Sequence, residues 1–169
     1  MKRTFGILTV LALGACSSAP TVSRDYDPQK DFTPLKTWAW SPEPRNIEVG
    51  EIEASGLTQE RIRAAIAQEL SAKGLQLVDP ANASLWVQYT AARRVVAGPR
   101  YNSTIYSDED LYLVDVSTIA IDMTTPSDKR LVWRGVGYRT IDPEMKPQER
   151  EARIHEVVRE ILQTFPPKK

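Results

Sequence analysis

A single cysteine, Cys16, serves all 169 residues of this chain. One thiol cannot close a disulfide within the chain, so whatever it folds into must be held by its core. The position of Cys16 adds a second constraint. It ends the stretch "MKRTFGILTVLALGAC". Lys2 and Arg3 give a positive start, Phe5 to Leu13 are apolar and uncharged, and Gly14 and Ala15 are small. That layout predicts a cleavable secretory signal over residues 1–15. The apolar run has about half of the ~20 residues a spanning helix requires, and no later stretch is as apolar. Removing residues 1–15 from the 169 leaves 154, one domain's length. A chain of that size buries roughly 68–70% of its unfolded surface, enough for a core without staples.

Leu13, Gly14, Ala15 and Cys16 resemble the lipobox of bacterial lipoproteins. The resemblance implies cleavage between Ala15 and Cys16, a diacylglycerol thioether on the Cys16 sulfur, and acylation of the new amino group. Each buried methylene contributes about 0.8 kcal/mol and one chain binds only marginally, so three chains would make the attachment essentially permanent. The membrane, through covalent lipid on Cys16, is thus the first expected partner. Ser17 is not the Asp that resembles an inner-membrane retention signal. The implied address is the outer membrane, facing the periplasm.

Charge excludes one class of partner. The chain has 22 basic and 22 acidic residues, and losing Lys2 and Arg3 leaves a balance of −2. No basic excess exists to neutralise a phosphate backbone, so no nucleic acid is expected.

Residues 16–31 are polar, with two prolines, and read as a lipidated tether with a short strand near Val22 to Tyr26. Residues 32–167 read as a single domain. "LKTWAWSP" places Trp38 and Trp40 on one side of a strand. "LTQERIRAAIAQELSAKGL" is a helix with Ile62, Ala65, Ile66 and Leu70 on one face and Gly74 at its stop. Thr58 is its expected N-cap, with Leu57 and Ile62 as a hydrophobic staple. "LQLVDP" is a short strand, and "ASLWVQYTA" alternates, with Leu85, Val87 and Tyr89 together. Residues 91–112 break the alternation and read as a long loop or irregular hairpin. "VSTIAIDMTT" and "RLVWRGVGYRTI", joined by "TPSDK", form the clearest hairpin. Ile154, Val157, Val158, Ile161, Leu162 and Phe165 stripe a final helix. The expected fold is α+β, a two-layer sandwich of a mainly antiparallel sheet with two helices packed on one face.

Chemistry is sparse. His155, the one histidine, lies off the apolar stripe among charges and reads as a surface residue. With one histidine and a lipidated thiol, no ordinary zinc site can be assembled, and no metal or cofactor is expected. "SDEDLY" at 107–112 lacks the spacing and glycine of a calcium loop and reads as solvated. Gly135 and Gly137 fall inside a strand rather than before a helix, marking a bulge or close approach by another backbone. The most suggestive surface is the 91–112 stretch, where Arg93, Arg94 and Arg100 lie with Tyr101, Tyr106 and Tyr112. Arginine and tyrosine are favoured at binding surfaces.

The order "DYDPQKDFTPLKTWAW", "RIRAAIAQELSAKGL", "ASLWVQYTA", "IAIDMTTPSDKRLVWRGVGYRTI" and "ILQTFPP" resembles the bacterial lipoprotein family known as domain of unknown function 4136. The resemblance runs from about Val22 to Pro167. It implies an exported, usually lipid-anchored domain, and it brings no catalytic residues. The expectation is a non-enzymatic binding or structural module of the cell envelope, with an envelope protein or wall component as partner. The alternative is a periplasmic hydrolase whose site is dispersed in sequence.

Overall fold

The computed structural model describes residues 19–43, 52–99, 111–140, 142 and 144–167. Seven strands form one sheet: β1 (Thr21–Tyr26), β2 (Thr37–Trp40), β3 (Ile52–Glu53), β4 (Gln76–Leu77), β5 (Leu85–Pro99), β6 (Leu111–Thr125) and β7 (Arg130–Thr140). Two helices, α1 (Gly56–Ala72) and α2 (Pro147–Leu162), complete the domain. The strand order is β1-β7-β6-β5-β2-β4, and β3 joins β5 beyond β2. Pairing is antiparallel from β1 to β5, whereas β2 runs parallel to both β5 and β4. The fold is the expected α+β type, with both helices packed on the sheet.

The helices form because their apolar residues recur on one side. Ile62, Ala65, Ile66 and Leu70 of α1 are fully buried, as are Val158, Ile161 and Leu162 of α2. They meet Leu85, Val87 and Tyr89 of β5 and Ile119, Ile121 and Met123 of β6. Each of the Val, Leu, Ile and Met side chains among them contributes about 1.5–3 kcal/mol on full burial. Trp133 and Phe32 close the core around Phe165, with ring centroids 5.3 and 5.9 Å from it.

Gly74 ends α1 as expected, at φ +81°. Its N–H donates to the Ser71 carbonyl at 2.9 Å, and that of Leu75 to the Leu70 carbonyl at 3.0 Å. This is a Schellman closure, which needs a left-handed residue at Gly74. At the other end the expectation fails. Ser55, not Thr58, is the N-cap, and Leu57 lies within the first turn, exposed rather than stapled to Ile62. The Ser55 and Thr58 hydroxyls instead lie 3.1 Å apart.

Of three further expectations, two hold and one needs correction. Of the two readings of residues 91–112, the hairpin holds for 91–99 and 111–112, without irregularity: β5 and β6 each continue for 15 residues, paired from Trp86↔Thr124 to Pro99↔Leu111. The alternation breaks there without breaking the strands, because ladder hydrogen bonds need no apolar face. The short strand expected near Val22 to Tyr26 is β1, which pairs fully with β7 from Thr21↔Tyr138 to Tyr26↔Trp133. Gly135 and Gly137 mark close approach by the side chains of α2, not by another backbone. A Cβ on Gly137 would lie 2.9 Å from Val157 Cγ1. The bulge lies elsewhere, between Met123 and Thr124, and leaves both Val132 and Trp133 buried.

Candidate functional site

Both helices begin at the same end of the sheet, where a cleft of about 400 Å³ opens between them and the strands. Ile62 of α1, Ala91 of β5, Ile119 of β6 and Ile154 and Val157 of α2 give it an apolar floor. That volume lies within the ~300–1,000 Å³ of small-molecule sites. Four arginines line it: Arg93 from β5, Arg139 from β7, and Arg150 and Arg153 from α2. Among the described residues, Asp142 is the one carboxylate of the lining. The Oδ1 of Asp142 accepts the Glu144 N–H at 3.0 Å, which folds the turn into α2.

Arg139 shares its strand parity with Gly135 and Gly137, so its side chain points toward the helices. The side chain is 9% exposed, and its Nη1 donates to Glu156 Oε2 at 2.7 Å. A nearly buried guanidinium needs such a partner. The Arg139 carbonyl accepts the Ser117 hydroxyl at 3.2 Å, fixing the strand beside it. Arg150 is exposed, and its Nη2 donates to the Met145 carbonyl at 3.3 Å. Ser55 and Thr58, from the first turn of α1, line the opposite wall. That turn carries no acidic residue and no side-chain cap hydrogen bond, so no carboxylate within the turn itself offsets its positive end. The arrangement can hold an anion against an apolar surface.

Of the residues singled out from sequence, Arg93 lines this cleft, and its backbone pairs with Ile52 and Ser117. Arg94 pairs with Val116 and Tyr112 with Gly98 in the long β5–β6 ladder. Ala15, Cys16, Arg100, Tyr101 and Tyr106 lie outside the described residues. His155 is half-buried on α2. Sequence reasoning missed Arg139, Arg150 and Arg153. The first had a legible signal, a charge at an inward strand position. Among the described residues, no helix is long and apolar enough to cross a membrane, and no cluster of His, Cys, Asp and Glu could hold a metal.

A mixed sheet with two helices on one face and a cationic cleft between their starts defines the class, an α+β domain with a ligand-sized recess. Within it the chain belongs to the DUF4136 family, a domain of unknown function, whose pattern matches residues 22–167. No curated protein matches it. Among solved structures, it is similar to a PDZ domain protein from Parabacteroides distasonis, with a TM-score of 0.57 and 16% identity. That likeness covers 89% of this chain but 37% of the other, so the chain spans little more than a third of that protein. It is also similar to PelC from Paraburkholderia phytofirmans, solved as a dodecamer in two crystals. The TM-scores are 0.53 and 0.52 at 14% identity, covering 89% and 88% of this chain and 99% of PelC in both. These likenesses concern the fold.

Proposed function

We propose that the protein is a lipid-anchored module of the bacterial cell envelope that acts by binding rather than by catalysis. Acylated Cys16 would hold it on the periplasmic face of the outer membrane. The cleft carries this reading: exposed Arg150, with Arg93 and Arg153 beside it and the Glu156-paired Arg139 behind, borders an apolar floor and suits recognition of a small anionic ligand. The segment before Thr21 supplies the anchor, through the charged start, short apolar run and Leu13-Gly14-Ala15-Cys16 order.

The test is intact mass and membrane fractionation of the native protein beside Cys16→Ala. The expected wild-type mass lacks residues 1–15 and carries acyl chains, and the variant leaves the membrane fraction. An unacylated wild type, distributed like the variant, would sink the anchor. Turnover of an ester by the purified protein would favour the hydrolase alternative.

A further inference from the structure

We infer that the cleft takes the phosphate-bearing head of an anionic glycerophospholipid, with the first part of its hydrocarbon on the apolar floor. This rests on the lipid-anchor reading above, and it follows from where the chain enters the sheet. Thr21, the first residue of β1, pairs with Tyr138 of β7. Tyr138 pairs with Thr118 of β6, and Thr118 with Ala92 of β5. Thr118 and Ala92 both line the cleft. One row of the sheet therefore runs from the anchored end of the chain into the site. Three strand spacings separate Thr21 from Ala92, about 14 Å.

The tether is short. Five residue steps lead from Cys16 to Thr21 and can span at most about 17 Å. An acyl-modified Cys16 would thus hold this end of the domain within reach of lipid heads. The two chemistries of the cleft match the two parts of such a lipid. Guanidinium groups bind phosphate oxygens through paired N–H donors, and the floor of Ile119, Ile154 and Val157 suits hydrocarbon. A free phosphate would use the first and leave the second idle.

The test titrates the full-length wild-type protein, purified from membranes in a neutral detergent, with short-chain dihexanoylphosphatidylglycerol. Dihexanoylphosphatidylcholine and inorganic phosphate serve as comparison probes. Saturable binding of the first is expected, at least roughly tenfold tighter than of either comparison probe. Arg150→Glu, at an exposed position, should weaken it by about tenfold. Thr58→Trp, which fills the cleft from α1, should abolish it while the thermal midpoint shows the fold retained.

Equal binding of phosphatidylcholine, or of inorganic phosphate, would overturn the assignment, the latter in favour of a free-anion site. So would unchanged binding by both variants. The intact mass of the same preparation separates this inference from the anchor. Acyl chains without saturable binding would overturn the ligand and leave the anchor standing. Saturable binding without acyl chains would do the reverse.

Discussion

The Arg24 guanidinium caps α2 from across the sheet: its Nε donates to the Ile161 carbonyl at 2.9 Å, and its Nη2 to the carbonyl of Glu160. These carbonyls lie in the last turn, where the i+4 donors run out, and that of Glu160 otherwise accepts only the C-cap Gln163 N–H, at 3.4 Å, among the described backbone bonds. A cation there also meets the negative end of the helix dipole. β1 is thus tied both to β7 and to the helix layer. Arg24→Ala should cost about 1–2 kcal/mol, since hydrogen bonds to charged groups contribute about 1.5–3 kcal/mol and this one is half-exposed. Urea unfolding would measure it. Arg24→Lys should recover part of the loss, because a single ammonium keeps the charge but not the fork.

Gly135 permits the contact between β7 and α2. A Cβ there would lie 2.5 Å from Trp133 Cη2 and 2.6 Å from Ile161 Cγ2. Both neighbours are buried and cannot swing aside. Gly135→Ala should therefore destabilise by about 1–3 kcal/mol, the range for overpacking. Ile161→Ala removes one of the clashing groups, so the double variant should be less destabilised than the two single losses added. A double-mutant cycle in urea reads that coupling.

The turn between β6 and β7 makes stability depend on acid. The Thr125 hydroxyl donates to Asp128 Oδ1 at 2.5 Å and the Arg130 N–H at 3.3 Å. Those two bonds, the hydroxyl's first, hold the Asp128 carboxyl below its ordinary range. A carboxyl depressed in the folded state stabilises the fold above its unfolded value, about 3.9. That contribution is lost as pH falls through the lower folded value. Below about pH 4, the urea midpoint of wild type should drop more steeply than that of Asp128→Asn. Parallel curves would count against the linkage.

The ladder that joins β5 to β6 runs to Pro99↔Leu111. Replacing residues 100–110 by Asn-Gly, a pair suited to two-residue hairpins, should leave the thermal midpoint nearly unchanged. Cutting back to residue 93 should lower it sharply, because that removes strand pairs and part of the cleft wall. Should an envelope protein dock on Arg100, Tyr101 and Tyr106, the shorter replacement would also abolish its crosslinking in cells.

Core-forming segments were legible in sequence because burial imposes period. The α1 and α2 stripes, the alternation of Leu85, Val87 and Tyr89, and the Gly74 stop all follow from contact with the helix layer. Along β5 after Ala92 the apolar alternation stops, while the backbone ladder to β6 continues to Pro99. β1 was faint for a related reason. It is a polar edge strand, recognised by its ladder to β7 rather than by its composition. The start of α1 was misplaced because Ser55 and Thr58 are both good caps, and only the turn geometry chooses between them. The cleft was hidden for a different reason. Its residues come from α1, α2 and several strands, and only the register of the sheet brings Arg93 and Arg139 to one end.

The bond between Arg24 and Ile161 joins residues 137 positions apart. The ladder from Thr21↔Tyr138 to Tyr26↔Trp133 is almost as distant. Closing so long a loop carries an entropy cost that grows with the logarithm of its length, so these pairings await the rest of the fold. As the chain is synthesised, its first strand stays single until Arg130–Thr140 has emerged and folded back. On the exported reading, this order has a practical result. The leading segment crosses the membrane as an unpaired thread, and the domain locks shut only when its own C-terminal third arrives on the far side.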